Sequence, residues 1–371
     1  MVNFDNAPAR VYWEITRACD LACRHCRAEA TPTAPPGELS PEEGRKLLDR
    51  IASFGPPQPH IVLTGGDPLK RRDLFDLIAY ARSTGLAVSV SPSGTPLLTT
   101  DAITRLKAAG IDAISLSIDG ATAATHDDLR QVAGTFDRTM EAARTANEVG
   151  LMFQVNTLVS QETIGELPAI ARVVSDIRAA RWSLFFLVTV GRGTVLSPID
   201  ATTCESLLEW LASLDLPGTI VTTTEAPHFR RVVAAKHRAA AAAGGGAPAG
   251  RPMGGAPAAG RPGHAAGIRD GNGIMFISFD GDVSPSGFLP LVAGNVRTED
   301  PVKIYQDSPL FLSLRKPESF GGRCGRCEYR ITCGGSRARA WAATGDALAE
   351  DPLCPYEPLG APAQHAGAAG A

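Results

Sequence analysis

Short apolar runs alternate with longer amphipathic ones along the first half of the chain. The short runs fall at residues 11–16, 61–64, 87–91, 113–117, 153–158 and 183–187, and they predict strands. Between them, apolar residues recur at helical spacing over 41–54, 71–83, 101–109, 136–149 and 165–179. Ser40-Pro41-Glu42-Glu43 carries the marks of a helix start: a hydroxyl cap, Pro in the first turn and Glu at the third position. Regular strand–helix alternation predicts an α/β fold with a parallel sheet and right-handed crossovers.

The pattern changes after the sixth strand. A helix near 204–213, a Thr-rich strand near 219–224 and a helix from Pro227 lead into residues 239–267, which are almost entirely Ala, Gly and Pro with a few Arg. Such a segment cannot bury enough apolar area to offset its ordering entropy, and it reads as a flexible linker. Residues 361–371 read the same way. Between them, alternation over 274–279, the turn Asp280-Gly281 and a return from Asp282 predict a hairpin, and 300–314 reads as one helix. The expected organisation is a core over 1–225, a helix and linker over 226–270, a small α+β domain over 271–360 and a disordered tail over 361–371.

The chain has 371 residues, a net charge of -3 and a pI near 6.2, which gives no reason to expect nucleic acid or an anionic membrane as partner. No apolar run is long enough to span a bilayer, and residues 1–10 have no signal core, so a cytoplasmic location is expected. Eight Cys in such a chain point to metal or redox chemistry rather than disulfides. Cys204 stands alone in a helical pattern and reads as a packed thiol.

Cys19, Cys23 and Cys26 are spaced C-x3-C-x2-C directly after the first strand. Three thiolates can hold three irons of a [4Fe–4S] cluster and leave one open to a ligand. A zinc knuckle with His25 as fourth donor is the alternative. Cys324, Cys327, Cys333 and Cys354 form a second set, C-x2-C-x5-C-x20-C, enough to ligate a whole [4Fe–4S] cluster or a zinc ion.

The first set resembles the radical SAM superfamily, and the second resembles the twitch or SPASM-type auxiliary domain found behind its barrels. The run Cys333-Gly334-Gly335-Ser336-Arg337-Ala338-Arg339-Ala340 is similar to enzymes that trim propionate side chains in heme and heme d1 biosynthesis. The resemblance implies a partial (β/α)6 TIM-like barrel followed by the small auxiliary domain. It implies S-adenosyl-L-methionine and two [4Fe–4S] clusters as cofactors, with a flavodoxin or ferredoxin as reductase. The cluster on Cys19, Cys23 and Cys26 would reductively cleave S-adenosylmethionine to a 5′-deoxyadenosyl radical. That radical would abstract hydrogen from a substrate, a tetrapyrrole propionate whose decarboxylation leaves a vinyl group.

Ligands of parallel α/β folds bind at the carboxyl ends of strands. Gly65, Gly66 and Asp67 follow the second strand and match the family's Gly-Gly-Glu position, with Asp in place of Glu. Ser91 and Ser93 follow the third strand, Ser117 and Asp119 the fourth, and Gly191 the sixth. Arg130 is a candidate partner for the methionine carboxylate, with a solvated helix-face cation as the alternative. For an acidic substrate, Arg192, Arg297, Arg323, Arg337 and Arg339 are candidate cations. The rival readings are a radical SAM peptide maturase, a molybdopterin-precursor cyclase and, from another class, a non-catalytic zinc scaffold or redox relay.

Overall fold

The computed structural model describes residues 3–242 and 267–359. Most of the expected linker and the whole expected tail lie outside these residues. Seven strands run in chain order: β1 (Arg10–Glu14), β2 (His60–Thr64), β3 (Ala87–Val90), β4 (Ala113–Ser117), β5 (Phe153–Val159), β6 (Arg181–Phe186) and β7 (Ile220–Thr224). Each pairs in parallel with the next. The helices between and after them are α1 (Pro41–Ala52), α2 (Leu74–Ser83), α3 (Thr100–Ala108), α4 (Ala123–Arg130), α5 (Thr135–Glu148), α6 (Leu167–Asp176), α7 (Ala201–Ser213) and α8 (Phe229–Ala242).

Alternation along the strands decides which face meets the helices. Val11 and Trp13 of β1 are fully buried in the main core, and so are Trp182, Leu184 and Phe186 of β6. Tyr12, Glu14, Ser183 and Phe185 occupy the alternate positions, on the other face of the sheet. The start of α1 is as the sequence predicts. Ser40 Oγ accepts from the Glu43 amide at 3.2 Å, and Glu43 accepts from the Ser40 amide at 2.8 Å.

After the second described segment begins, β8 (Ile274–Ile277) pairs in parallel with β1, Arg10 opposite Ile274. β9 (Asp282–Ser284) returns antiparallel, and β10 (Gly294–Asn295) pairs with β9. The result is one sheet of ten strands, ordered β10-β9-β8-β1-β2-β3-β4-β5-β6-β7. The predicted hairpin is therefore hydrogen-bonded into the core sheet, and the Thr-rich strand adds a seventh parallel member.

Two further differences have plain causes. The helix expected over 300–314 is two, α9 (Pro301–Asp307) and α10 (Pro309–Leu314). Pro309 forces Ser308 into extended backbone (φ -60°, ψ 130°) and so ends the first. The eight residues of α4 bury only His126 and Leu129, too few to mark a helix in the pattern of apolar positions. The last helices are α11 (Gly322–Arg326) and α12 (Arg337–Thr344), on either side of Cys333.

Candidate functional site

The three-cysteine segment leaves the carboxyl end of β1 and is gripped by two neighbouring loops. The Gly66 amide donates to Thr16 O at 2.8 Å, and the Asp67 amide donates to Ala18 O at 2.7 Å. A Cβ on Gly65 would lie 2.3 Å from Thr16 O, and one on Gly66 2.5 Å from Ala18 O. Any side chain there would break the grip. From the other side, the Arg192 amide donates to Cys26 O at 3.0 Å. Its guanidinium donates to Cys23 O at 3.0 Å and Ala30 O at 3.1 Å. Gly191, at φ +54°, has Arg27 O only 2.6 Å from where its Cβ would be.

The sulfurs have few but specific neighbours. The Leu21 amide donates to Cys19 Sγ at 3.4 Å, and the Ala30 amide to Cys26 Sγ at 3.5 Å. Ser93 Oγ lies 3.7 Å from Cys19 Sγ and itself donates to Gly66 O at 2.7 Å. Arg130 Nη1 reaches Cys23 Sγ at 3.7 Å. Leu21 and Ala30 pack with Cys19 and Cys23 in a small apolar cluster that keeps water from the thiols. Burial pushes the Cys19 thiol up to about 11. Burial also raises Cys23, against the pull of Arg130. Such thiols lose their protons to a bound metal rather than to water.

Arg130 is placed by a buried carboxylate. Asp119 is 2% exposed and pairs with Arg130 Nη2, while its other oxygen accepts from the Leu158 amide at 2.7 Å. Burial acts to raise Asp119, but Arg130, then His25 and His126, hold it down at about 2. His126 accepts from the Asp119 amide at 3.1 Å through Nδ1. Burial first, then Arg130, lowers both His25 and His126 to about 4, so both rings are neutral at pH 7.

The other sequence-derived candidates divide. Asp67 is fully buried, and its oxygens accept from Thr95 Oγ1 (2.6 Å), the Leu69 amide (3.1 Å) and the Ser93 amide (3.3 Å). It ties the loop after β2 to the loop after β3. Ser91 and Ser117 are half-buried at the carboxyl ends of β3 and β4. The five arginines named for an acidic substrate all hold protein groups. Arg192 holds the cysteine segment. Arg297 holds Glu43 at 2.7 Å and Asp280 O at 2.9 Å. Arg323 holds Glu350 at 3.0 Å, and Arg339 holds Asp351 at 3.3 Å. Arg337 is fully buried, donates to Ala349 O at 2.6 Å and lies 3.5 Å from Cys324 Sγ.

Cys324, Cys327, Cys333 and Cys354 line one pocket together with Gly334, Gly335, Arg231 and Asp351. They face one shared space. Among the described residues, no three His, Cys, Asp or Glu side chains are set to hold a single ion. Four thiols around one shared space suit a whole [4Fe–4S] cluster or a zinc ion. Backbone amides donate to three of the thiols: Asp351 to Cys324 (3.4 Å), Tyr329 to Cys327 (3.4 Å) and Gly335 to Cys333 (3.5 Å). Burial raises Cys333 to about 12 and Cys354 to about 11.

Asp351 is the residue that sequence reasoning missed here. It is 1% exposed and accepts from the Ser336 amide (2.8 Å), the Leu353 amide (3.1 Å) and Arg339. His228 Nδ1 lies 3.9 Å away, and its Nε2 is 3.2 Å from Cys204 Sγ. Cys204 is thus packed, as expected, but against a buried imidazole. Near the first set the missed residues are Glu14, 1% exposed, and the two arginines that share it. Arg17 lies at 3.1 Å and Arg27 at 2.9 Å. Only the spacing of Arg17 and Arg27 around the cysteines hinted at this.

The chain is similar to known proteins. The family model described as the Radical SAM superfamily matches residues 13–174. The AdoMet-dependent heme synthase of Methanosarcina barkeri is 37% identical over 359 residues, 96% of this chain and 99% of that one. The AdoMet-dependent heme synthase of Nitratidesulfovibrio vulgaris is 39% identical over 94% of this chain and 92% of its own. Among solved structures, Streptococcus suis SuiB bound to its precursor peptide SuiA superposes with a TM-score of 0.69, over 94% of this chain and 76% of that one, at 16% identity.

Proposed function

The chain belongs to the radical SAM superfamily, and from that premise we propose that it oxidatively decarboxylates propionate side chains of a tetrapyrrole. The observation that carries this reading is the 37–39% identity to two heme synthases over nearly the full length of both partners. When bound, S-adenosylmethionine and the [4Fe–4S] cluster of Cys19, Cys23 and Cys26 supply a 5′-deoxyadenosyl radical able to take hydrogen from an unactivated carbon. The propionate arm gives up one hydrogen atom, carbon dioxide and one electron, and a vinyl group remains.

The protein's own residues hold and shelter this chemistry. Gly65, Gly66, Gly191 and Arg192 fix the cysteine segment. Leu21 and Ala30 exclude water from it. Arg130, oriented by Asp119, places positive charge beside Cys23 Sγ, and Ser93 faces Cys19 Sγ. Ser91 and Ser117 are the side chains at the strand ends available to ribose and methionine carboxylate. Cys324, Cys327, Cys333 and Cys354 would hold a second [4Fe–4S] cluster, whose chemistry is one-electron transfer. The reading includes a cytoplasmic setting and a flavodoxin or ferredoxin as reductant. Among the described residues no helix is long and apolar enough to cross a membrane.

The test is an anaerobic turnover of dithionite-reduced protein with S-adenosylmethionine and a propionate-bearing porphyrin. 5′-Deoxyadenosine and porphyrin mass are read together. The expected result is loss of one carbon dioxide per 5′-deoxyadenosine. Active cleavage with unchanged porphyrin would overturn the tetrapyrrole assignment and favour a peptide.

A further inference from the structure

We propose that the flat face of the substrate rests on a half-buried apolar wall formed by Phe185, Val190, Phe288, Leu291 and Trp341, and that Arg27 takes one of its carboxylate arms. This rests on the tetrapyrrole reading above and names the side chains that recognise it.

The wall belongs to a small cluster separate from the main core. Val188, Leu289 and Ala338 are its buried floor; Val190, Phe288, Leu291 and Trp341 are its half-buried members. Val292 beside them is 59% exposed. Phe185 joins from β6, on the sheet face turned away from the main core, with its ring 6.3 Å from that of Phe288. Half-buried aromatic and aliphatic groups gathered outside the core mark a surface that a ligand finishes covering.

Its members neighbour, along the chain, segments of both cysteine sets. Val190 immediately precedes the Gly191–Arg192 grip on the first set, where the Arg192 amide meets Cys26 O at 3.0 Å. Trp341 lies on α12, whose cap Ser336 is separated from Cys333 only by Gly334 and Gly335. A substrate that loses a hydrogen atom to one centre and an electron to the other belongs between them.

The charge is in the same place. Arg27 follows Cys26, with its guanidinium 4.6 Å over the Phe276 ring and one nitrogen on Glu14. Its side chain is 20% exposed. A Cβ on Gly287 would sit 3.0 Å from Arg27 Cζ, so the loop bearing Phe288 reaches Arg27 because residue 287 has no side chain. Ring faces beside a guanidinium suit a planar molecule with acidic arms. An extended peptide would ask for an open strand edge instead.

The experiment titrates the iron-replete holoenzyme with a metal-free propionate porphyrin and with its methyl ester, read by fluorescence and Soret shift. Phe288→Ala and Trp341→Ala should each weaken both ligands about tenfold. Arg27→Gln should lower the preference for acid over ester about tenfold, and Arg27→Lys should restore part of it. Iron content checks each preparation. If the alanine variants lose iron, Val292→Asp replaces them and should weaken the acid more than the ester. Wild-type protein that binds neither ligand overturns the tetrapyrrole reading. Wild-type binding with unchanged affinity in the wall variants, Val292→Asp included, overturns the wall. An Arg27→Gln protein that still prefers the acid overturns the role of Arg27.

Discussion

The two cysteine sets differ in how much of their support comes from elsewhere in the chain. The first has three thiols on an irregular segment that owes its shape to neighbouring loops: the Gly65–Gly66 turn on one side and Arg192 on the other. The second has four thiols on segments tied to one another through Asp351, Arg337 and the amides of residues 335 and 351, with Asp270, Glu225 and Arg230 adding bonds from outside. On the proposed reading, a site that keeps one metal position open cannot let its ligand loop close around the cluster, and support from outside fits that need. On the same reading, a fully ligated site can be stapled in part by its own sequence neighbours.

The strongest way to break this comparison is to remove one thiol from each set. Cys23→Ala should abolish S-adenosylmethionine cleavage. Cys327→Ala should leave part of the cleavage but no decarboxylated product. Iron analysis should fall from about eight per chain toward about four in either case. Equal S-adenosylmethionine cleavage by both variants would make the two sets interchangeable and end the distinction.

The next test reaches the supports. Asp119→Asn removes the charge that orients Arg130 at a site where the two side chains are 2% and 13% exposed. Breaking such a buried pair should cost about 3 kcal/mol in urea unfolding and slow cleavage. Asp351→Asn should act on the other set alone, lowering iron retention there while 5′-deoxyadenosine still forms. If Asp351→Asn also stops cleavage, the two sets do not act separately.

The mildest test is acid. His126, near the first set, and His228, beside the second, are each lowered to about 4, chiefly by burial. The unfolded chain binds these protons first, so stability is full above about pH 6.5 and falls as pH drops toward 4. The slope is up to about 1.4 kcal/mol per pH unit for each ring. A His228→Gln variant should flatten its share of the slope, measured by urea midpoints across that range.

The strands, most helices and both cysteine sets could be read from the sequence because each is a local pattern. What could not be read is non-local. Nothing in residues 274–277 announces β1 as their partner. Asp67 and Arg192 carry chemistry-bearing groups in the right loops, yet spend them on neighbouring backbone, which only the folded chain reveals. Gly65 and Gly66 match a family position, but nothing in the sequence says that the groups crowding them are the carbonyls of Thr16 and Ala18. Asp351 looked like an ordinary acid between two thiols.

The seating of β8 against β1 has a consequence for synthesis. As the chain emerges from the ribosome, one flank of its first strand must wait, unpaired, until residues some two hundred and sixty positions later have been made. Native pairing this distant is slow to form and leaves an edge open to aggregation meanwhile. The segment that carries the first three thiols is thus translated long before its supporting sheet can be finished.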